Sequence, residues 1–146
     1  MEMTGSSRLK ADRDTVWAAL NNPEVLQACI PGCESFEATG ENAFAAEVGA
    51  KIGPVKAKFK GNVELVDIVT SESYRLVGEG TGGAAGFAKG GATVHLADIE
   101  GGTELSYEVS ANMGGKIAQL GARLMTNTAK KYADRVFDAF AEQVGG

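Results

Sequence analysis

Residues 116–144 read KIAQLGARLMTNTAKKYADRVFDAFAEQV. At about 100° per residue, Ala118, Ala122, Met125, Ala129, Ala133, Val136 and Phe140 fall on one stripe, with Arg123, Asn127, Lys130, Asp134 and Asp138 opposite. The stretch holds no proline and is rich in strong helix formers. It is expected to form one helix, bounded by Gly114-Gly115 in front and Gly145-Gly146 behind. Roughly 29 residues make a rod about 43 Å long, which needs a broad sheet to lie on. The inward stripe is mostly alanine until its last turns. Ile117, Leu120 and Leu124 lie off the stripe, so the first turns are apolar nearly all round.

The rest of the chain supplies the sheet. Residues 2–10 alternate as a strand. Asp12 caps a short helix whose apolar face is Val16, Trp17 and Leu20, with Asp14 at the positive end of its dipole. Asn21-Asn22-Pro23 ends it, and Pro23 opens a second short helix, 23–29. From Cys33 the period becomes two, with strands at 33–38, 42–52, 55–69, 74–80, 87–99 and 103–112. The short breaks between them argue for antiparallel hairpins. Alternation turns Phe44, Val48, Phe59, Val63, Leu65, Tyr74, Leu76, Val94, Leu96, Leu105, Tyr107 and Val109 inward. Lys56, Lys58, Lys60, Arg75, Glu104 and Glu108 point outward, so one face is wet and one is covered. The expected class is α+β: a curled antiparallel sheet of about seven strands, two short helices after the first, and one long C-terminal helix over the inner face.

A length of 146 residues fits one domain, 1–146, and a net charge of −5 argues against a nucleic-acid partner. No apolar run reaches the roughly 18–20 residues of a membrane span, and Met1-Glu2-Met3-Thr4 opens in a strand pattern rather than a signal peptide. The expected compartment is the cytosol. Cys29 and Cys33 bracket a turn at Ile30-Pro31-Gly32. With one histidine in the chain, no usual zinc ligand set is available, and two unpaired thiols are expected.

Several local sequences resemble a known family. The order of elements is similar to the helix-grip fold of the START-like superfamily. Asp14-x-x-Trp17-x-x-Leu20-Asn21-x-Pro23-Glu24-x-Leu26, followed by Ile30-Pro31-Gly32-Cys33, resembles the opening of the CoxG family, the carbon monoxide dehydrogenase G subunits. So do Gly53-Pro54-Val55-Lys56-x-Lys58-Phe59-Lys60-Gly61, Gly78-Glu79-Gly80-x-Gly82-Gly83-x-x-Gly86-Phe87 and the run Gly114 to Arg123. The resemblance covers nearly the whole chain. It implies an accessory protein of a molybdenum-containing carbon monoxide dehydrogenase or related hydroxylase. The implied role is recruiting that enzyme to the membrane, or carrying a quinone of the menaquinone or ubiquinone type. Some members extend beyond the long helix; this sequence stops at Gly146, so a tail-based anchor is not expected within it.

The remaining motifs each carry two readings. Gly78-x-Gly80-x-x-Gly83 matches a dinucleotide fingerprint by letter, but no helix follows and no βαβ unit contains it. The glycines either absorb sheet curvature or form a flap at a cavity mouth with Phe87 as its tip. His95 alternates outward, away from any nucleophile, as a surface histidine. Tyr74, Tyr107 and Tyr132 are core residues or, on the analogy of polyketide cyclases, acid–base groups. Lys56, Lys58 and Lys60, with Lys51 nearby, form a solvated strand face or a basic docking stripe. The alanine stripe packs the helix tightly on the sheet or leaves room beneath it.

The expected function is a non-enzymatic carrier with an apolar cavity of a few hundred Å³ for a quinone-like or isoprenoid lipid. The candidate lining is Trp17, Phe44, Val48, Phe59, Leu76, Phe87, Val94, Leu96, Tyr107, Val109, Met113, Ile117, Ala118, Ala122, Met125 and Ala129. Leu120, Leu124, Lys56, Lys58 and Lys60 are the expected contacts to a dehydrogenase or a membrane surface. No catalytic or metal-ligating residues are expected. The alternatives are a cyclase or dehydratase, which needs an ionisable pair in the cavity, and a ligand-free membrane adaptor.

Overall fold

In the computed structural model, which describes residues 1–145, strand β1 (Glu2–Leu9) is followed by helices α1 (Arg13–Leu20) and α2 (Pro23–Cys29). A meander follows: β2 (Cys33–Gly40), β3 (Ala43–Ile52), β4 (Val55–Val69), β5 (Ser73–Thr81), β6 (Phe87–Ile99) and β7 (Gly102–Gly114). A single 3₁₀ turn, Gly83–Ala85, joins β5 to β6. The chain ends in α3 (Lys116–Gln119) and α4 (Ala122–Val144). The described strands form one antiparallel sheet in the order β1-β7-β6-β5-β4-β3-β2. Because β1 pairs with β7 at one edge and β2 lies at the other, α1 and α2 must cross from edge to edge. They close one end of the curled sheet.

Local chemistry sets the joints. The Asp12 carboxylate accepts the Thr15 amide (2.8 Å) at the start of α1, and the Asn22 side chain accepts the Glu24 amide (3.0 Å) at the start of α2. Arg13 fastens α1 to the strand turns beside it. Its Nε donates to Asp98 Oδ1 (2.9 Å) and its Nη1 to the Ser71 carbonyl (3.2 Å), while Ser71 Oγ donates to Asp14 Oδ1 (2.6 Å). Thr103, fully buried, donates to the Ala11 carbonyl (2.7 Å) and is thereby satisfied.

The C-terminal helix departs from expectation in one respect. It is not continuous over residues 116–144; it breaks at Leu120-Gly121, where Gly121 has φ 94°. A uniform helix would set Ile117 about 100° from the inward line. The break lets α3 turn Ile117 inward, where it is 2 % exposed. The same rotation turns Ala118 outward and leaves Ala122, the first residue of α4, exposed. Beyond the break the stripe is as read, with Met125 and Phe140 buried and Ala129, Ala133 and Val136 half-buried. Of the expected terminal Gly145-Gly146 stop, Gly145 caps α4, and Gly146 lies outside the described residues.

Candidate functional site

The inner face of the sheet has two apolar clusters with a gap between them. The larger lies at the α1–α2 end and includes Leu9, Val16, Leu20, Phe44, Leu65, Tyr74, Val94, Leu96, Leu105 and Phe140. Trp17 packs edge-on against Tyr74 there, with ring centroids 5.5 Å apart. Tyr107 stacks on Phe137 of α4 at 5.0 Å, with its ring against Gly5, where a side chain would collide with it. The smaller cluster lies at the far end. It joins Ala85 of the 3₁₀ turn, Ile117 of α3 and Met125 of α4, with Ile52, Val55, Ala57, Phe59, Met113 and Leu120 around them.

Between the clusters the inner face of the sheet is floored largely by glycine and alanine. Registration sets Gly61 opposite Gly80, Gly80 opposite Ala88, Gly78 opposite Gly90, Gly90 opposite Ala111 and Leu76 opposite Ala92. All share the inner face. A Cβ on Gly61 or Gly78 would lie 2.9 Å from a neighbouring strand's carbonyl oxygen, and one on Gly90 would overlap the Ser110 carbonyl. Curling the sheet crowds its concave side, and glycine is what lets adjacent backbones approach there. Above this floor, α4 approaches mainly α1, α2, α3 and β1 rather than the central strands. An apolar hollow of about 280 Å³ results, open on one side, with Val63, Leu76, Gly80, Ala88, Ala92 and Val109 in its lining.

The expected lining residues are distributed as follows. Phe44, Val94 and Leu96 belong to the larger cluster, with Trp17, Leu76 and Tyr107 packed against it. Phe59, Met113, Ile117 and Met125 form or border the smaller one. Val48, Val109 and Ala129 are half-buried and belong to neither. Three residues are corrected. Ala118 and Ala122 are exposed because of the Gly121 break. Phe87 alternates to the outer face, 50 % exposed, with its ring over Gly114, so it is no inward flap tip. Gly61, Gly78, Gly80, Ala88, Gly90, Ala92 and Ala111 were not in the expected lining, although the period of two runs through them.

The expected docking residues are also reassigned. Leu120 packs on the smaller cluster, and Leu124 reaches the β3–β4 turn, 3.0 Å from where a Cβ on Gly53 would lie. Both are half-buried rather than free surface. Lys58 pairs with Glu34 at 2.9 Å and Lys60 with Glu47 at 3.4 Å, so two of the three lysines already have partners on this chain. The Glu34 carboxylate holds the Lys58 ammonium above its usual range, first by hydrogen bonding and then by charge.

Burial pushes the Tyr74 hydroxyl up to about 12. Burial, and next the Asp134 charge, also raise Tyr107. Neither shift brings a tyrosine toward neutral titration, as acid–base work would need. His95 is exposed on the outer face. Among the described residues no group of three or more His, Cys, Asp or Glu is placed to hold a metal. Cys29 and Cys33 are unpaired, and burial raises both thiols. The outer face carries a larger groove, about 680 Å³, bordered by Glu64, Arg75, Glu79 and Lys89. Its walls belong to the wet face, so the inner hollow is the better candidate for an apolar ligand.

A long helix gripped by a curled antiparallel sheet, with an apolar hollow on the sheet's inner face, defines a START-like fold. A START superfamily protein from Mycobacterium smegmatis shares the fold, with TM-score 0.74 at 9 % identity over 98 % of this chain and 96 % of that one. A protein from Thermus thermophilus does too, with TM-score 0.75 at 16 % identity over 99 % and 97 %. The model of the family described as the carbon monoxide dehydrogenase G subunit (CoxG) matches residues 5–145, and the chain belongs to that family. A conserved protein from Geobacillus kaustophilus is similar at 33 % identity, covering 99 % of this chain and 95 % of that one, with TM-score 0.92. No curated protein matches the chain. The family is thus described as a subunit of carbon monoxide dehydrogenase, and the likeness to the START superfamily protein is one of fold.

Proposed function

We propose that the chain carries a hydrophobic small molecule for a molybdenum dehydrogenase of the carbon monoxide dehydrogenase type. The ligand is a quinone-like or isoprenoid lipid, and the protein works in the cytoplasm with peripheral contact to the membrane. The glycine–alanine floor on the inner face, whose central strands α4 hardly approaches, is the observation that carries this reading. A stretch of sheet without side chains loses packing contacts unless something else fills the space. Apolar lining suits a hydrocarbon chain or ring, and each buried CH₂ contributes roughly 0.8 kcal/mol. Family membership supplies the partner class. No described helix is long and apolar enough to cross a membrane, so membrane contact would be made by surface residues.

The smaller cluster is the better place for passage. It is apolar, and glycines with positive φ flank it at Gly53, Gly115 and Gly121. The α1–α2 end is tied by Arg13 and Thr103. Native mass spectrometry of protein made in the source organism, followed by solvent extraction, tests the reading. A co-purifying quinone or isoprenoid lipid is expected. Protein free of ligand that also fails to take up added quinone would overturn it.

A further inference from the structure

The β3 edge has a step. β2 begins at Cys33, opposite Val48, and just before it the Gly32 carbonyl accepts the Gly49 amide (2.8 Å). There the chain turns away into α2. Residues 50–52 of β3 therefore pair with β4 on one side and, among the described residues, have no strand on the other. Because the Gly49 amide points toward β2, the amide and carbonyl of Lys51 point the same way, into the open edge. A groove of about 770 Å³ runs along this step, with Gly32, Gly49, Ala50 and Ala57 in its lining. Small side chains there allow another backbone to approach.

The charge beside the step is uncompensated. Lys51 and Lys56 face each other directly across the β3–β4 hairpin, an arrangement that costs stability. Neither forms an ion pair among the described residues, unlike Lys58 and Lys60. This occurs in a chain of net charge −5. Edge lysines deter pairing with a second copy, since lysine would then meet lysine. They do not deter an acidic strand.

We propose that this edge accepts an extended, acidic segment of a partner protein as an added β-strand. The segment pairs with the Lys51 backbone and sets its carboxylates against Lys51 and Lys56. Main-chain bonds supply affinity and the alternating side chains supply selectivity. A lipid headgroup would meet the lysines but would have no use for the open backbone groups.

The test titrates the isotope-labelled full chain with four probes, followed by amide NMR. These are a short peptide of alternating Val and Glu, its Val/Lys counterpart, the Val/Glu peptide with methylated backbone amides, and phosphatidylcholine vesicles containing phosphatidylglycerol. Only the unmodified Val/Glu peptide is expected to shift residues 49–52 saturably and to slow exchange of the Lys51 amide. Lys51→Glu with Lys56→Glu should weaken it roughly tenfold or more. Lys51→Pro removes the open donor at an edge position where proline is tolerated, and should weaken it beyond Lys51→Ala. An equal response to the methylated peptide would reduce the effect to charge and overturn strand addition. No saturable response to the Val/Glu peptide, or perturbation of these amides by vesicles alone, would overturn it as well. If Lys51→Pro fails to fold, the methylated peptide still decides.

Discussion

Gly80 and Gly90 lie on neighbouring strands of one floor, yet the same substitution should have opposite effects at the two. A Cβ on Gly80 would meet the Lys60 carbonyl oxygen at 3.5 Å and Gly61 Cα at 3.8 Å, which is ordinary contact. On Gly90 it would overlap the Ser110 carbonyl oxygen and come within 2.7 Å of Ala111 Cα, and neither backbone atom can swing aside. Gly80→Val gains roughly 1 kcal/mol in strand preference and about 1 kcal/mol from burying part of the new side chain in the hollow. Its melting temperature should rise by a few degrees. Gly90→Val forces β7 away and should cost about 1–3 kcal/mol. Thermal unfolding gives both values. The second assay is quenching of Trp17, the only tryptophan, by a short-chain ubiquinone analogue. Trp17 packs on Tyr74, which shares the inner face of β5 with the floor. Gly80→Val, folded and more stable, should quench several-fold less at a given quinone concentration. Wild-type quenching in Gly80→Val would show that the hollow is not where quinone sits. Equal stability of the two variants would show that crowding between strands is not why Gly90 is glycine.

Tyr74 titrates only when the fold gives way: its folded pKa is about 12 against about 10 unfolded, so the unfolded chain releases the proton first. The contribution of Tyr74 to stability should hold below about pH 10 and fall by about 1.4 kcal/mol per pH unit to about pH 12, so the difference between wild type and Tyr74→Phe in denaturant midpoints should change across that window. Arg13→Ala removes the bonds to Asp98 and the Ser71 carbonyl and a longer contact to Glu72 (3.9 Å), and should cost roughly 1 kcal/mol in urea unfolding because both carboxylates are exposed. Leu120→Glu with Leu124→Glu should lower stability by about 2–4 kcal/mol, because both leucines pack against the far end of the fold; unchanged unfolding midpoints would return them to the surface. Ala118→Phe should leave the melting temperature nearly unchanged, while Ala129→Phe should reduce quinone quenching without unfolding the protein.

Strand positions and the inward face were legible in the sequence because period two survives from β3 to β7. Every inward residue read from alternation is buried or half-buried. The site was less legible, for a physical reason. Scoring by apolar side chains finds the walls of a cavity but misses a floor made by their absence, so Gly78, Gly80 and Gly90 were read as absorbing curvature or forming a flap, and not as part of the lining. The break at Gly121 was missed because helical periodicity tolerates one glycine. It became visible only when Ile117 had to be buried against Ala85. The lysine partners could not be read at all: Glu34 reaches Lys58 across the β2–β3–β4 register, which no local pattern specifies.

The hollow follows from where the chain places its large side chains. Phe140, Val136 and Phe137 support α4 at the α1–α2 end, and Met125 with Leu124 supports it at the other. Between them α4 carries the small residues Ala129 and Ala133, and the central strands carry glycine and alanine. Lowering the helix onto that floor would crush the supports, so the space persists. The hollow is apolar and open to solvent, and a ligand seated in it would remove that apolar surface from water. Stability should therefore depend on occupancy. Ubiquinone or an isoprenoid alcohol at about a hundredfold over its dissociation constant should add roughly 2.7 kcal/mol to unfolding in the wild type. Gly80→Val, with its hollow partly filled from within, should be more stable without ligand and gain much less from it. A melting temperature indifferent to both lipids would mean that the hollow is simply left open to water.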